Sequence, residues 1–174
     1  MTGGLRAGDP ARAAIVVAAL IWSASADAPL ALGFALVAPP ALALRMLPAP
    51  QWLDGALCAV LVTAQVGAAA GFTHSTGWWD AAAHAVTASL VALLVISLIP
   101  AGWLSRLAIP VVFALGLAWE GVEWVSDTAL GTTFVPSRAD TVGDLLFDLA
   151  GAVVATATLG ALRWLRAPQS SATT

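Results

Sequence analysis

The sequence predicts an all-α polytopic membrane protein, a bundle of six transmembrane helices, from three observations. Of its 174 residues 60% are hydrophobic and 10% are charged, with a mean hydropathy of +0.89, whereas soluble domains carry roughly a quarter of charged residues. Six apolar segments, at 11–26, 28–47, 52–73, 79–99, 103–129 and 140–166, are divided by breakers, and most approach the ~20 residues that a helix needs to cross the hydrocarbon. The basic residues, seven Arg and no Lys, fall almost entirely on one side of the resulting topology.

The first segment contains Arg12, with Arg6 just ahead, and runs to Ala24-Ser25-Ala26. A basic flank, an apolar run and a small-residue site also describe a signal peptide, but the segment is read as an uncleaved first helix. Asp27-Ala28-Pro29 opens the second segment, in which Pro39-Pro40 predicts a kink that packed neighbours can accommodate. Pro48-Ala49-Pro50 precedes the third, which holds the single Cys58, read as a buried structural thiol; one cysteine permits no disulfide within the chain.

Thr73 to Gly77 separates the third segment from the fourth, and Pro100 to Gly102 the fourth from the fifth. Pro110 predicts a kink in the fifth, and Gly131 to Ser137 leads into the sixth. Residues 1–167 read as one membrane domain and 168–174 as a loose polar tail. No repeat is evident, and the abundant alanine favours close helix packing. With no basic patch and a net charge of −3, nucleic acid is excluded as a partner; membrane lipids are the expected surroundings.

With the N-terminus inside, six crossings put Arg6, Arg12, Arg45, Arg106, Arg163 and Arg166 on the cytoplasmic side and Arg138 alone outside. The expected location is a bacterial cytoplasmic (inner) membrane with both termini inside. Trp78-Trp79 on the outer side and Trp52, Trp103 and Trp164 near the inner side occupy the positions of interfacial aromatic belts.

The last three segments carry ionisable residues at helical spacing: Asp80 and His84; Glu120, Glu123 and Asp127; Asp140, Asp144 and Asp148. At ~1.5 Å per residue, Glu120, Asp148 and His84 each lie on the order of 22 Å from the inner anchors Arg106, Arg163 and Pro100. Those three are level; Asp80, Glu123 and Asp144 come one step further out, with Asp127 and Asp140 at the mouth. The spacings also give each helix one polar stripe, because residues three, four or seven apart share a face. Stripes of this kind are very unfavourable against lipid, so they are expected to face one another around an outward-opening cavity. His84, Glu120, Glu123 and Asp144 would form its core, with Asp80, Asp140 and Asp148 at the margins. Gly151, seven residues after Asp144, offers a close approach to another helix.

Seven carboxylates around one imidazole cannot all be ionised and unpaired in a low dielectric. A divalent cation is one compensation. His84, Asp80, Glu120, Glu123, Asp140, Asp144 and Asp148 are the candidate ligands, a set suited to Zn, Mn, Mg or Ca. Shared protons are a second, and Arg138 reaching over the mouth is a third. Blander readings stand beside these. His84 could be a satisfied structural histidine, Asp80 and Asp140 could cap their helices, Asp127 could be solvated at a helix end, and His74 could be a surface residue. Trp119 and Trp124 read as packing or wall residues.

With Ile21-Trp22-Ser23, Asp80-x3-His84, Glu120-x2-Glu123-Trp124 and Asp140-Thr141-x2-Asp144 running to Gly151-Ala152, the chain resembles the YjdF-like family of small bacterial inner-membrane proteins, and more distantly the VanZ-like group. The likeness covers nearly the whole length and implies a family role for Asp80, His84, Glu120, Glu123, Asp140 and Asp144, while Asp127 and Asp148 are particular to this chain. Where the family tends to carry a His-Tyr-Thr-like patch, this chain reads Gly67-Ala68-Ala69-Ala70-Gly71-Phe72-Thr73, so a polar contact is missing or moved. The resemblance implies no particular activity.

Three functions fit these residues. In the favoured one, a metal-dependent membrane hydrolase acts at the outer leaflet on a lipid-linked or phosphoester substrate. Glu120 and Glu123 supply a ligand and a general base, and Arg138 and Asp127 stand at the substrate mouth. The alternatives are a small cation- or proton-coupled transporter and a non-catalytic, metal-stabilised membrane partner. Against transport, the inner halves of the segments are apolar.

Overall fold

A computed structural model describes residues 4–24, 28–99 and 104–166, omitting the side chains of Ala28, His74 and residues 104–106. Six long helices and one single-turn helix follow in order: α1 (Asp9–Ala24), α2 (Ala28–Leu44), α3 (Gln51–Ala69), α4 (Phe72–Ser75), α5 (Trp79–Leu98), α6 (Leu104–Leu130) and α7 (Arg138–Arg166). The fold is all-α, with no strand among the described residues. Outside them lie Ser25 to Asp27, the Pro100 to Gly102 joint with Trp103, and the tail from Pro168; the side chains of His74 and Arg106 are likewise undescribed.

Four helices are long and apolar enough to cross a membrane: α3, α5, α6 from Leu107, and α7; α2 is a shorter apolar helix. The expected six spanning segments thus become four of full length, α2, and an α1 of 16 residues that opens on Asp9 and carries Arg12. Large apolar side chains point outward along the helices, among them Leu20, Leu115, Leu117, Trp124 and Val154, as a surface solvated by lipid tails requires.

Helix ends differ from the expected ones for local reasons. The third segment stops at Ala69 instead of Thr73, because Gly71 adopts the left-handed conformation at φ 76°, a helix-ending geometry cheap only for glycine. A single turn, α4, follows. The last helix starts two residues earlier than expected, with Ser137 Oγ accepting the Asp140 N–H at 3.2 Å, the N-cap bond that satisfies an orphan amide. Asp140 is therefore inside the first turn and not the cap. Asp80 does not cap α5 either, since that helix begins at Trp79 with no side-chain cap bond. Pro39-Pro40 and Pro110 lie within α2 and α6, which continue through them.

The bundle core has three parts. Ala88, Ala92, Ile96, Ala108, Val112, Ala152 and Ala155 join α5, α6 and α7. Leu53, Leu57 and Cys58 of α3 pack with Leu44, Ala49 and Leu94. Ile15, Val37 and Ala41 join α1 to α2, with Trp119 of α6 against them. Cys58 is fully buried, as a structural thiol should be.

The closest pair is α5 with α7, and the reason is Gly151: a Cβ there would collide with the Ala85 carbonyl oxygen. Ser89 Oγ reinforces this approach by donating to the Gly151 carbonyl at 3.0 Å. The small residue singled out in the sequence thus brings together the helices that carry His84 and Asp144.

Candidate functional site

Asp80 and His84 lie one turn apart on α5, and Asp144 and Asp148 one turn apart on α7, so the Gly151 contact sets two polar pairs opposite each other. One ligand atom from each of Asp80, His84 and Asp144 lies within 4.8 Å of the others. His84 Nδ1 is 3.2 Å from Asp148 Oδ1. Asp144 and Asp148 are both 6% exposed, so their carboxylates are withdrawn from the surroundings.

The third helix adds Glu120, 4% exposed. Both of its carboxylate oxygens are buried without a hydrogen-bond partner among the described residues. Thr141 approaches it without reaching hydrogen-bond geometry. A buried acceptor with no donor is costly, which makes Glu120 the strongest indication that the cluster accommodates something more than its own side chains. Glu123 is half-buried, within electrostatic reach of Glu120, His84 and Asp80 and beside Trp119. Asp140 is half-buried and interacts with Glu120 and Asp144. All seven candidate ligands therefore belong to one neighbourhood, although Asp80, expected at its margin, stands at its centre.

Two mouth residues have other places. Asp127 accepts from Thr132 Oγ1 at 2.6 Å and from the Phe134 and Val135 amides, both at 2.8 Å. Its carboxylate clasps the loop after α6 and is not simply solvated. Arg138 is exposed at the start of α7 and forms no ion pair among the described residues. An open pocket of about 510 Å³ lies elsewhere. It is lined by residues such as Trp22, Leu32 and Leu130 at the ends of α1, α2 and α6. At the cluster His84 of α5 meets Asp148 of α7 at 3.2 Å.

A second polar centre lies away from this site. Arg12 (4% exposed) pairs with Asp54 (0%), the Gly8 amide donates to Asp54 Oδ2 at 2.9 Å, and Arg12 also reaches Asp9 at 2.9 Å. Arg12 Nε donates to the Ala41 carbonyl at 2.6 Å, and Arg6 donates to the carbonyls of Leu44, Arg45, Leu47 and Ala49, at and just beyond the end of α2. These bonds tie α1, α2 and α3 together. Sequence reading missed this centre; the available signal was an acid, Asp54, and a base, Arg12, each alone in an apolar segment.

A family model described as "Predicted membrane protein (DUF2238)" matches residues 11–165, which include the whole α5–α7 cluster and the Arg12–Asp54 pair but not Arg6, Gly8 and Asp9. Neither a curated protein nor a solved structure matches the chain.

Proposed function

The chain belongs to the DUF2238 family of predicted membrane proteins, and from that premise we propose that it is a multi-pass protein built around a divalent-cation centre between α5 and α7. The observation that carries this reading is the convergence of Asp80, His84 and Asp144 within 4.8 Å beside Glu120, whose buried oxygens have no hydrogen-bond partner among the described residues. One imidazole with several carboxylates suits Zn, Mn, Mg or Ca, and a dication offsets acids that are otherwise unfavourable at this depth. The narrower YjdF-like reading rests on the same Asp80-x3-His84 and Glu120-x2-Glu123 motifs.

The reaction class assigned to the centre is hydrolysis of a lipid-linked or phosphoester substrate at the outer face. A cation held there would supply water of lowered pKa, and Glu120, whose oxygens have no hydrogen-bond partner among the described residues, is the carboxylate available as general base. The orientation follows from the Arg distribution, with both termini at the cytoplasmic face of the inner membrane. Beneath the cluster Ala88, Ala92, Ile96, Val112, Ala152 and Ala155 form an apolar layer, which disfavours a transport path continuing between these helices.

The close α5–α7 contact at Gly151 favours a second reading, in which the cation only fastens the helices. Comparing His84→Ala with Glu120→Gln separates the two. For a hydrolase, His84→Ala lowers metal content and Glu120→Gln retains the metal but loses turnover of a generic phosphoester. Absence of turnover by the metal-loaded wild-type chain on phosphoester and lipid-linked substrates leaves the fastening role.

A further inference from the structure

We infer that Asp148 serves this centre as the positioning partner of His84, fixing the ring so that Nε2 is the nitrogen presented to the cation, with Gly116 of α6 as the notch that seats the carboxylate. The inference rests on the metal reading above and narrows it, because the sequence alone places Asp148 among the ligands.

An ionised carboxylate only accepts hydrogen bonds. When Asp148 Oδ1, 3.2 Å away, engages Nδ1, the proton of a neutral imidazole resides on Nδ1 and the Nε2 lone pair is free. Metal-binding histidines are commonly oriented in this way by a carboxylate on the second nitrogen. Chain position agrees. Asp80 and Asp144 each lie one turn outward of His84 and Asp148 on the same helix faces, so the ring stands between an outer pair of acids and a single inner one. Among the described residues the compact ligand set comprises Asp80, His84 and Asp144 and does not extend to Asp148.

The other oxygen of Asp148 sits close against α6. A Cβ built on Gly116 would collide with Asp148 Oδ2 and stand 3.2 Å from its Cγ and 3.5 Å from Leu145 Cδ2. The carboxylate therefore lies against bare α6 backbone, 6% exposed. One and two turns further in, Ala152 and Ala155 belong to the apolar layer. A cation drawn to Asp148 would move toward that layer and away from the outer carboxylates.

The test uses the full chain in detergent micelles with cadmium as the metal probe. It measures binding affinity and stoichiometry, and the nuclear spin coupling of bound cadmium to the His84 nitrogens. The expected coupling is to Nε2. Asp148→Ala should weaken cadmium about 10- to 100-fold, the usual cost of losing an orienting partner, while one equivalent still binds. Gly116→Ala should act in the same direction from another helix by displacing the carboxylate. Asp148→Asn, which keeps an acceptor for Nδ1–H, should recover most of the affinity, and Asp144→Ala, removing a ligand, should abolish stoichiometric binding. Coupling to Nδ1, unchanged affinity in both Asp148→Ala and Gly116→Ala, or loss of the bound equivalent in Asp148→Ala would each overturn the assignment. A wild-type chain that takes up no cadmium overturns the metal reading itself, and the positioning role with it.

Discussion

Arg12 of α1 and Asp54 of α3 form an ion pair in which neither side chain is more than 5% exposed. The guanidinium also donates to Asp9 and to the Ala41 carbonyl, so one side chain joins three helices.

Removing one partner strands the other. Asp54→Ala should therefore destabilise the chain by about 3–5 kcal/mol, whereas replacing both residues with leucine should restore most of the loss. Thermal unfolding in detergent checks this, and the expected order is wild type, double variant, single variant.

Asp127 makes three hydrogen bonds to the segment from Thr132 to Val135. Asp127→Ala should loosen that loop at a cost on the order of 1–3 kcal/mol per buried group left unsatisfied. Faster hydrogen exchange in residues 131–137, with metal affinity unchanged, is the expected outcome. A fall in affinity comparable to that of a ligand variant would return Asp127 to the site.

Gly151 seats α7 against the Ala85 carbonyl. Gly151→Leu should force α5 and α7 apart, with an overpacking cost of about 1–3 kcal/mol or more, and should weaken any metal held between Asp80, His84 and Asp144. Unfolding temperature and metal content should fall together.

Topology is open to labelling in a chain with Cys58→Ala as background. Ser137→Cys should react with an impermeant outer reagent, and a cysteine placed at Ser170 should not. The reverse pattern would turn the cluster toward the cytoplasm.

Much of the candidate site was legible because helical spacing is local. Asp80 with His84, and Asp144 with Asp148, each declare a shared face within five residues, and Gly151 declares a close approach. The Arg12–Asp54 pair has no such signature, since its partners are 42 residues apart and Arg12 reads equally well as a topology signal. The Asp127 clasp was hidden for another reason: two of its three donors are backbone amides, which carry no residue identity. Helix ends shifted where conformation decided them, at the left-handed Gly71 and the Ser137 cap, whereas the extents of α5 and α6 followed the hydrophobic pattern closely.

The measurement that bears most directly on the account is the metal content of wild-type protein purified without chelator, together with its thermal stability on adding Zn, Mn, Mg or Ca. The account predicts about one equivalent of a divalent cation, or a rise in unfolding temperature with one of the four, because binding to the native state alone stabilises it. Both effects should be lost in His84→Ala while membrane insertion persists. A chain that carries no stoichiometric metal and gains no stability from any of the four would contradict the account and leave the cluster as shared-proton carboxylates.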